Sequence, residues 1–178
     1  MEANRQPPLV LPGLTVYVDE NEEDAYKLKQ QLDDMIPLEK RKKQLSKAIG
    51  LDISEWKLDE VIPSLPDYET LSKKVVKSVY EAIQRAIKTE HLTLRDLLDR
   101  FGTWVGHKTI VGTPEQVADE MIEWFKKEAC DGFMLMAPTY PESFEKFIHL
   151  VIPILQERGV FRRDYESHLL KNHLGIKN

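Results

Sequence analysis

A capped amphipathic helix that leads directly into an apolar strand is the strongest constraint on this chain. It lies at Val111 to Phe133, VGTPEQVADEMIEWFKKEACDGF. Thr113 is placed to be an N-cap, since its hydroxyl can accept from an orphan amide of the first turn. Pro114 suits the first helical position, where no N–H is needed. Gln116 completes a T-x-x-Q capping box. Val117, Met121, Ile122, Trp124, Phe125 and Ala129 recur at helical spacing and predict one buried stripe, with the Trp124–Phe125 pair in the core. Acids gather early in the helix and lysines late, as the helix dipole favours. The run Phe133 to Ala137 beyond it has strand length and no polar alternation, the pattern of a parallel strand covered on both faces. Helix then buried strand is the order of an α/β barrel.

Composition narrows the classes further. The chain has 178 residues, 42% hydrophobic and 31% charged, enough for one domain with a core. A net charge of −5 with scattered lysines gives no electrostatic basis for binding nucleic acid or an anionic membrane. No apolar run approaches the roughly 20 residues of a membrane span, and the first residues, MEANRQPPLVLPG, do not read as a signal peptide. One cysteine excludes an internal disulfide and fits a reducing cytoplasm. Cys130 itself reads as a small buried residue and not as a nucleophile.

Residues 1–8 form a lead-in, and Leu14 to Val18 predicts a strand after the Pro12-Gly13 break. A helix then starts at Asn21 to Asp24, carried by Ala25, Leu28, Leu32, Met35 and Ile36, until Pro37 interrupts it. A basic helix over Glu39 to Ile49 ends on Gly50, and its lysine-rich side reads as a surface face. Residues 51–67 are irregular. A long helix is expected over Tyr68 to Lys88, with Lys73 and Lys74 off its buried face. A short helix capped by Thr93 runs through Phe101 and stops at Gly102. His107 to Val111 is a short extended piece. The last helix is expected from Thr139, with a second capping box to Glu142, a buried stripe of Phe144, Phe147, Ile148, Val151 and Leu155, and a kink or joint at Pro153. Arg158-Gly159 ends it, and a basic tail completes the chain. The units are therefore 9–36 (strand and helix), 37–106 (helical insertion), 107–158 (last βα units) and 159–178 (tail), within one domain spanning 1–178.

No G-x-G-x-x-G, Walker loop, H-E-x-x-H or paired cysteines occur. His168 and His173 are five apart, the wrong spacing for one helix face. His149 reads as a packing residue beside the stripe of the last helix. His107 is the only histidine near a plausible barrel face, though a solvated loop histidine explains it more simply. The acidic run Asp19 to Asp24 reads as a solvated helix start and not as a metal site. Asp131-Gly132 fits either a functional pair or a tight turn into the strand.

Four segments together resemble the flavin-dependent monooxygenases of the bacterial luciferase-like superfamily, in the branch of the nitrilotriacetate, dibenzothiophene-sulfone and long-chain alkane monooxygenases. They are Leu11-Pro12-Gly13-Leu14 with the later Glu22-Glu23-Asp24-Ala25; Leu92 to Leu97; Val111 to Asp119 with Asp131-Gly132-Phe133; and Val151-Ile152-Pro153-x-Leu155-Gln156-x-Arg158-Gly159-x-Phe161-Arg162 with Tyr165 and Leu174-Gly175. The likeness runs from about residue 9 to the end of the chain. Ser167 to Lys171 departs from it, standing where a Thr-Leu-Arg run is expected.

The resemblance implies the C-terminal part of a (β/α)8 barrel, helix-rich, with two or three strands and a helical insertion. It implies reduced FMN supplied by a separate flavin reductase, O2, a small organic substrate and no metal. An ordinary barrel needs about 250 residues, so the chain is expected to be inactive alone. The residues that hold most of the flavin have no counterpart in it. By the rule that barrel sites lie at strand C-termini, the candidates near the catalytic face are Met136 and Pro138, with His107 as a third. Catalytic residues are not assigned. Open strand edges call for a partner, either a second copy or a complementary N-terminal half. A non-catalytic helical interaction module packing on a partner chain is the alternative reading.

Overall fold

A computed structural model describes residues 8–72, 75–101, 107–165 and 167–173. The expectations on Lys73, Lys74, Gly102 and Leu174-Gly175 fall outside these residues. The elements are β1 (Gly13–Val18), α1 (Glu22–Asp34), α2 (Leu38–Ile49), α3 (Lys77–Glu90), α4 (Leu94–Phe101), β2 (Lys108–Gly112), α5 (Pro114–Lys126), β3 (Met134–Met136), α6 (Glu142–Lys146), α7 (Ile152–Glu157) and α8 (Leu170–His173), with a 3₁₀ turn at Tyr68–Thr70 and a π-helical turn at Phe147–Val151. They form two compact units, 1–27 with 109–178, and 28–108.

The first unit is built on a three-stranded parallel sheet in the order β2-β1-β3. β1 pairs with β3 in the register Gly13–Met134, Leu14–Leu135 and Thr15–Met136. At the other edge the Asp19 amide, just past β1, donates to the Gly112 carbonyl at the end of β2, so the C-terminal ends of the two strands coincide. Strand geometry sends alternate side chains to opposite faces. Leu14, Val16 and Val18 accordingly join Ile110, Val117, Ala118, Ile122, Phe147, Val151 and Leu155 in one core between the sheet and its helices. Thr15 and Tyr17 lie on the other face and are also buried. A helix-rich chain around this sheet is the C-terminal-barrel type of architecture expected from the sequence, with the short extended piece after His107 realised as a third strand.

Several expectations are corrected in this unit. β3 is not covered on both faces: it is an edge strand of three residues, and Met134 is 60% exposed. Trp124 is half-buried against the Phe133 ring, while Phe125 is 49% exposed, because the stripe of α5 is narrower than its apolar composition suggests. Phe144, Ile148 and His149 of the last helix are exposed, leaving Phe147, Val151 and Leu155 as its core side. That helix starts at Glu142, not Thr139, since Pro141 takes the position before its first turn. The second capping box is absent; Thr139 Oγ1 instead accepts from the Ser143 amide. Pro153 does mark a joint, at the start of α7, where the π-helical turn gives way to α-helix. Proline has no N–H and its ring crowds the carbonyl four residues back, here that of His149. A π turn absorbs this, with the Ile152 amide donating to the Phe147 carbonyl.

The second unit is helical. Its core joins Leu45 and Ile49 of α2, Tyr80, Ile83 and Ile87 of α3, and Leu94, Leu97 and Leu98 of α4 with Ile53, Ile62 and Leu65 from the irregular connection. Gly50 closes α2 in the left-handed conformation (φ 71°), its amide bonded to the Ser46 carbonyl, as its sequence position predicts. The expected long helix from Tyr68 begins only at Lys77. Tyr68 donates its hydroxyl to the Val75 carbonyl at 2.9 Å, and Tyr80 donates to that of Pro66 at 2.8 Å, which stabilises a looped path ahead of α3. α2 is not purely a surface helix: Arg41 is buried, and its guanidinium donates to Asp99 at 2.7 Å.

Candidate active site at the C-terminal strand ends

β1 and β2 end together, whereas β3 ends at Met136, opposite Thr15 within β1; the segments leaving these C-terminal ends define the candidate site. β1 runs out of its apolar residues at Val18 and exits through Asp19. The Asp19 carboxylate accepts the Glu20 amide at 2.9 Å and is paired with the Lys146 ammonium of α6. β2 ends at Gly112, and the chain turns at once into α5 through the predicted capping box. Thr113 accepts from the Gln116 amide at 3.3 Å, while the Gln116 side chain accepts the Thr113 amide at 2.8 Å. A side chain at residue 112 would collide with the Gln116 carboxamide, so the glycine belongs to the cap. β3 ends at Met136, and the segment through Ala137, Pro138 and Thr139 leads on to α6. Ser143, buried at the start of α6, shares a 2.8 Å hydrogen bond with the Thr139 hydroxyl. Ser143 and Lys146 are three residues apart and so lie on one face of the helix.

Met136 and Pro138 therefore stand together, half-buried, at the C-terminal end of β3. Met136 shares the face of β1 that carries Thr15, whose Oγ1 is fully buried and has no hydrogen-bond partner among the described residues. His107 is exposed and precedes the first residue of β2, which is the N-terminal strand end. The other histidines serve elsewhere. His91 closes α3 in the left-handed conformation, and a ring nitrogen of His173 lies 2.5 Å from the Ser167 carbonyl oxygen. Asp131 has a structural use: its carboxylate accepts the Val10 amide at 2.7 Å and its amide donates to the Val10 carbonyl, tying the lead-in of β1 to β3.

Residue-by-residue reading of the sequence misses Asp19, Lys146, Ser143 and Thr15. Asp19 is the first residue of an acidic run and reads as part of its solvated surface; its place directly after the predicted strand Leu14 to Val18 is the one signal that sets it apart. Lys146 lies 127 residues further on, and nothing in the sequence pairs the two. The strand ends carry an ion pair, two linked hydroxyls and apolar side chains, with the Thr15 hydroxyl buried deeper within β1. Such a set can bind and orient a ligand and exclude water from it. Near it, Asp24 in the first turn of α1 is held below the usual carboxylate range, chiefly by hydrogen bonds from Asn21 and Lys27. Among the described residues no group of histidine, cysteine or carboxylate side chains could hold a metal, and no helix is long and apolar enough to cross a membrane.

No family model matches the chain. Individual proteins do. N-acetyl-S-(2-succino)cysteine monooxygenase of Bacillus subtilis is 37% identical over 94% of this chain and 38% of its own length. Nitrilotriacetate monooxygenase component A of Aminobacter aminovorans is 37% identical over 94% of this chain and 36% of its own. Among solved structures, the EDTA monooxygenase of Chelativorans sp. BNC1 superposes with a TM-score of 0.66 at 33% identity, covering 95% of this chain and 38% of that one. The chain thus spans a little over a third of the length of the proteins it matches. Over nearly its whole length it is homologous to the luciferase-like FMN-dependent monooxygenases.

Proposed function

We propose that this chain is the C-terminal part of a flavin-dependent monooxygenase barrel that oxygenates a small organic substrate with reduced FMN and O2, and that it is inactive alone. The observation that carries this reading is the homology over 94% of the chain together with a sheet of three parallel strands among the described residues. A closed barrel of this class has eight. Bound reduced FMN would supply the electrons that activate O2. The residues present fit one wall of a flavin site. Met136 and Pro138 offer apolar surface, Thr15 an unpartnered hydroxyl, and Thr139 and Lys146 polar groups at the strand ends. In the assembled enzyme these groups would position the cofactor and substrate and keep bulk water out. The partners on this reading are a flavin reductase, as the designation "component A" of one relative suggests, and the remaining barrel strands. A single cysteine is compatible with a cytoplasmic setting.

The test is oxygenation of nitrilotriacetate and of N-acetyl-S-(2-succino)cysteine with a flavin reductase, NADH and FMN, by the chain alone and by the chain supplied with the rest of a relative's barrel. Product is expected only in the second case. Turnover by the chain alone would sink the claim that it is inactive; absence of flavin binding and turnover in an intact assembly would sink the monooxygenase reading. The second unit, 28–108, has a hydrophobic core of its own, which favours the alternative of a helical interaction module. That alternative gains if the assembly forms without flavin binding.

A further inference from the structure

We infer that Met136 is a redox-sensitive modification site, at which hydrogen peroxide converts the thioether to a sulfoxide and the buried hydroxyl of Thr15 receives the new oxygen. Leu135 packs against the core on the helix side of the sheet. Its neighbours Met134 and Met136 therefore lie on the other face of β3, since alternate side chains point to opposite faces. There each stands opposite a different residue of β1. Met134 is paired with Gly13, which has no side chain, and is 60% exposed. Met136 is paired with Thr15 and is half-buried. Adjacent strands run about 4.8 Å apart, so Thr15 is the immediate cross-strand neighbour of Met136 on that face.

The Thr15 hydroxyl is fully buried and has no hydrogen-bond partner among the described residues. A thioether is only a weak acceptor, so methionine leaves this donor unused, whereas a sulfoxide oxygen is a strong acceptor. In the oxidation a sulfur lone pair attacks one peroxide oxygen, the S–O bond forms and the O–O bond breaks. The proton on the transferred oxygen passes to the departing one, which leaves as water. Sulfur gives up two electrons and the peroxide is reduced. Sulfoxidation turns a flexible apolar side chain polar and disrupts most cores. At Met136 the added oxygen instead meets the donor that the fold leaves unpaired. Met134 is the internal comparison: it lies on the same face, but its sulfoxide would face water and gain no protein donor. Methionine sulfoxide is reversible, so the Thr15–Met136 pair can switch the C-terminal end of β3 between an apolar and a polar surface and back.

The experiment is treatment of the folded full chain with hydrogen peroxide, followed by peptide mass spectrometry and urea unfolding. Met134 is expected to gain one oxygen first and Met136 after it, while the chain remains folded. Thr15→Val removes the donor, and Thr15→Ser keeps it. Met136→Leu, treated alike, gives the effect of oxidation at the other methionines, which is subtracted. Oxidation at Met136 should lower the folding equilibrium constant of Thr15→Val at least about fivefold more than that of the unsubstituted chain, the worth of one hydrogen bond. Thr15→Ser should respond as the unsubstituted chain does. Two results would overturn the inference: Met136 unmodified in the folded chain when Met134 is fully converted, or equal losses on oxidation with and without the hydroxyl at residue 15.

Discussion

Thr15 of β1 stands directly opposite Met136 of β3, and the threonine hydroxyl, fully buried, finds no hydrogen-bond partner among the described residues. Leaving such a group unpaired costs about 1–3 kcal/mol. Thr15→Val has nearly the same shape and removes the hydroxyl. It is expected to raise the stability of the isolated chain by about 1 kcal/mol, read as a higher midpoint in urea with an unchanged slope. A loss of stability instead would mean that the hydroxyl is satisfied in solution.

The capping box at the start of α5 makes an independent prediction. Thr113→Ala removes the acceptor for the Gln116 amide and should cost about 1 kcal/mol. Gln116→Ala removes the reciprocal bond to the Thr113 amide. Because the two bonds form one unit, the double variant should cost less than the sum of the singles. A double-mutant cycle by thermal unfolding decides this, and strict additivity would contradict it.

In the helical unit, Arg41 is buried and donates to Asp99, while its Nε has no partner among the described residues. Breaking a buried pair from the acid side leaves a buried cation uncompensated, whereas an apolar replacement of the cation removes the desolvation cost with it. Asp99→Ala should therefore destabilise more than Arg41→Met, although Asp99 is the more exposed partner. Equal losses in chemical denaturation would argue that the guanidinium reaches water.

Acid sensitivity should be traceable to the start of α4. The Asp96 carboxyl is held below its ordinary value of 3.8, chiefly by the Thr93 hydroxyl and then by the Thr93 amide. Its folded value is depressed, so its contribution is present above pH 3.8 and is lost as pH falls through the lower folded value. Asp59 behaves likewise because Arg95 bonds its carboxylate. Asp96→Asn should flatten the fall in stability below about pH 4 and lower stability at neutral pH by the contribution that the carboxylate makes there. An unchanged acid limb in the variant would refute this assignment.

Much of the fold was legible because it is local. Thr113, Pro114 and Gln116 act within one helical turn, and Gly50 terminates α2 by its own backbone freedom. The illegible part depends on neighbours distant in sequence. The apolar run at β3 reads as a strand covered on both faces, which holds only where another strand and helix lie beside it; here Met134 faces solvent. Tyr68 and Tyr80 replace a helical path with hydrogen bonds to carbonyls at Val75 and Pro66, a choice that periodicity does not record. Of the candidate site, Met136 and Pro138 come from the rule of strand ends, but the Asp19–Lys146 pair joins opposite ends of the chain. The electrostatic part of the site was therefore invisible to any local pattern.

The π turn at Phe147–Val151 acts as one residue more than the α-helical path requires. It resets the angular phase of the helix, so the residues beyond it are offset by about 100° from where a regular count would put them. Phe147 and Val151 at its two ends and Leu155 beyond it all lie in the core. A designed graft that treats residues 142–157 as one regular helix would therefore change the angle between the side chains of its first and second halves, even with every residue identity kept.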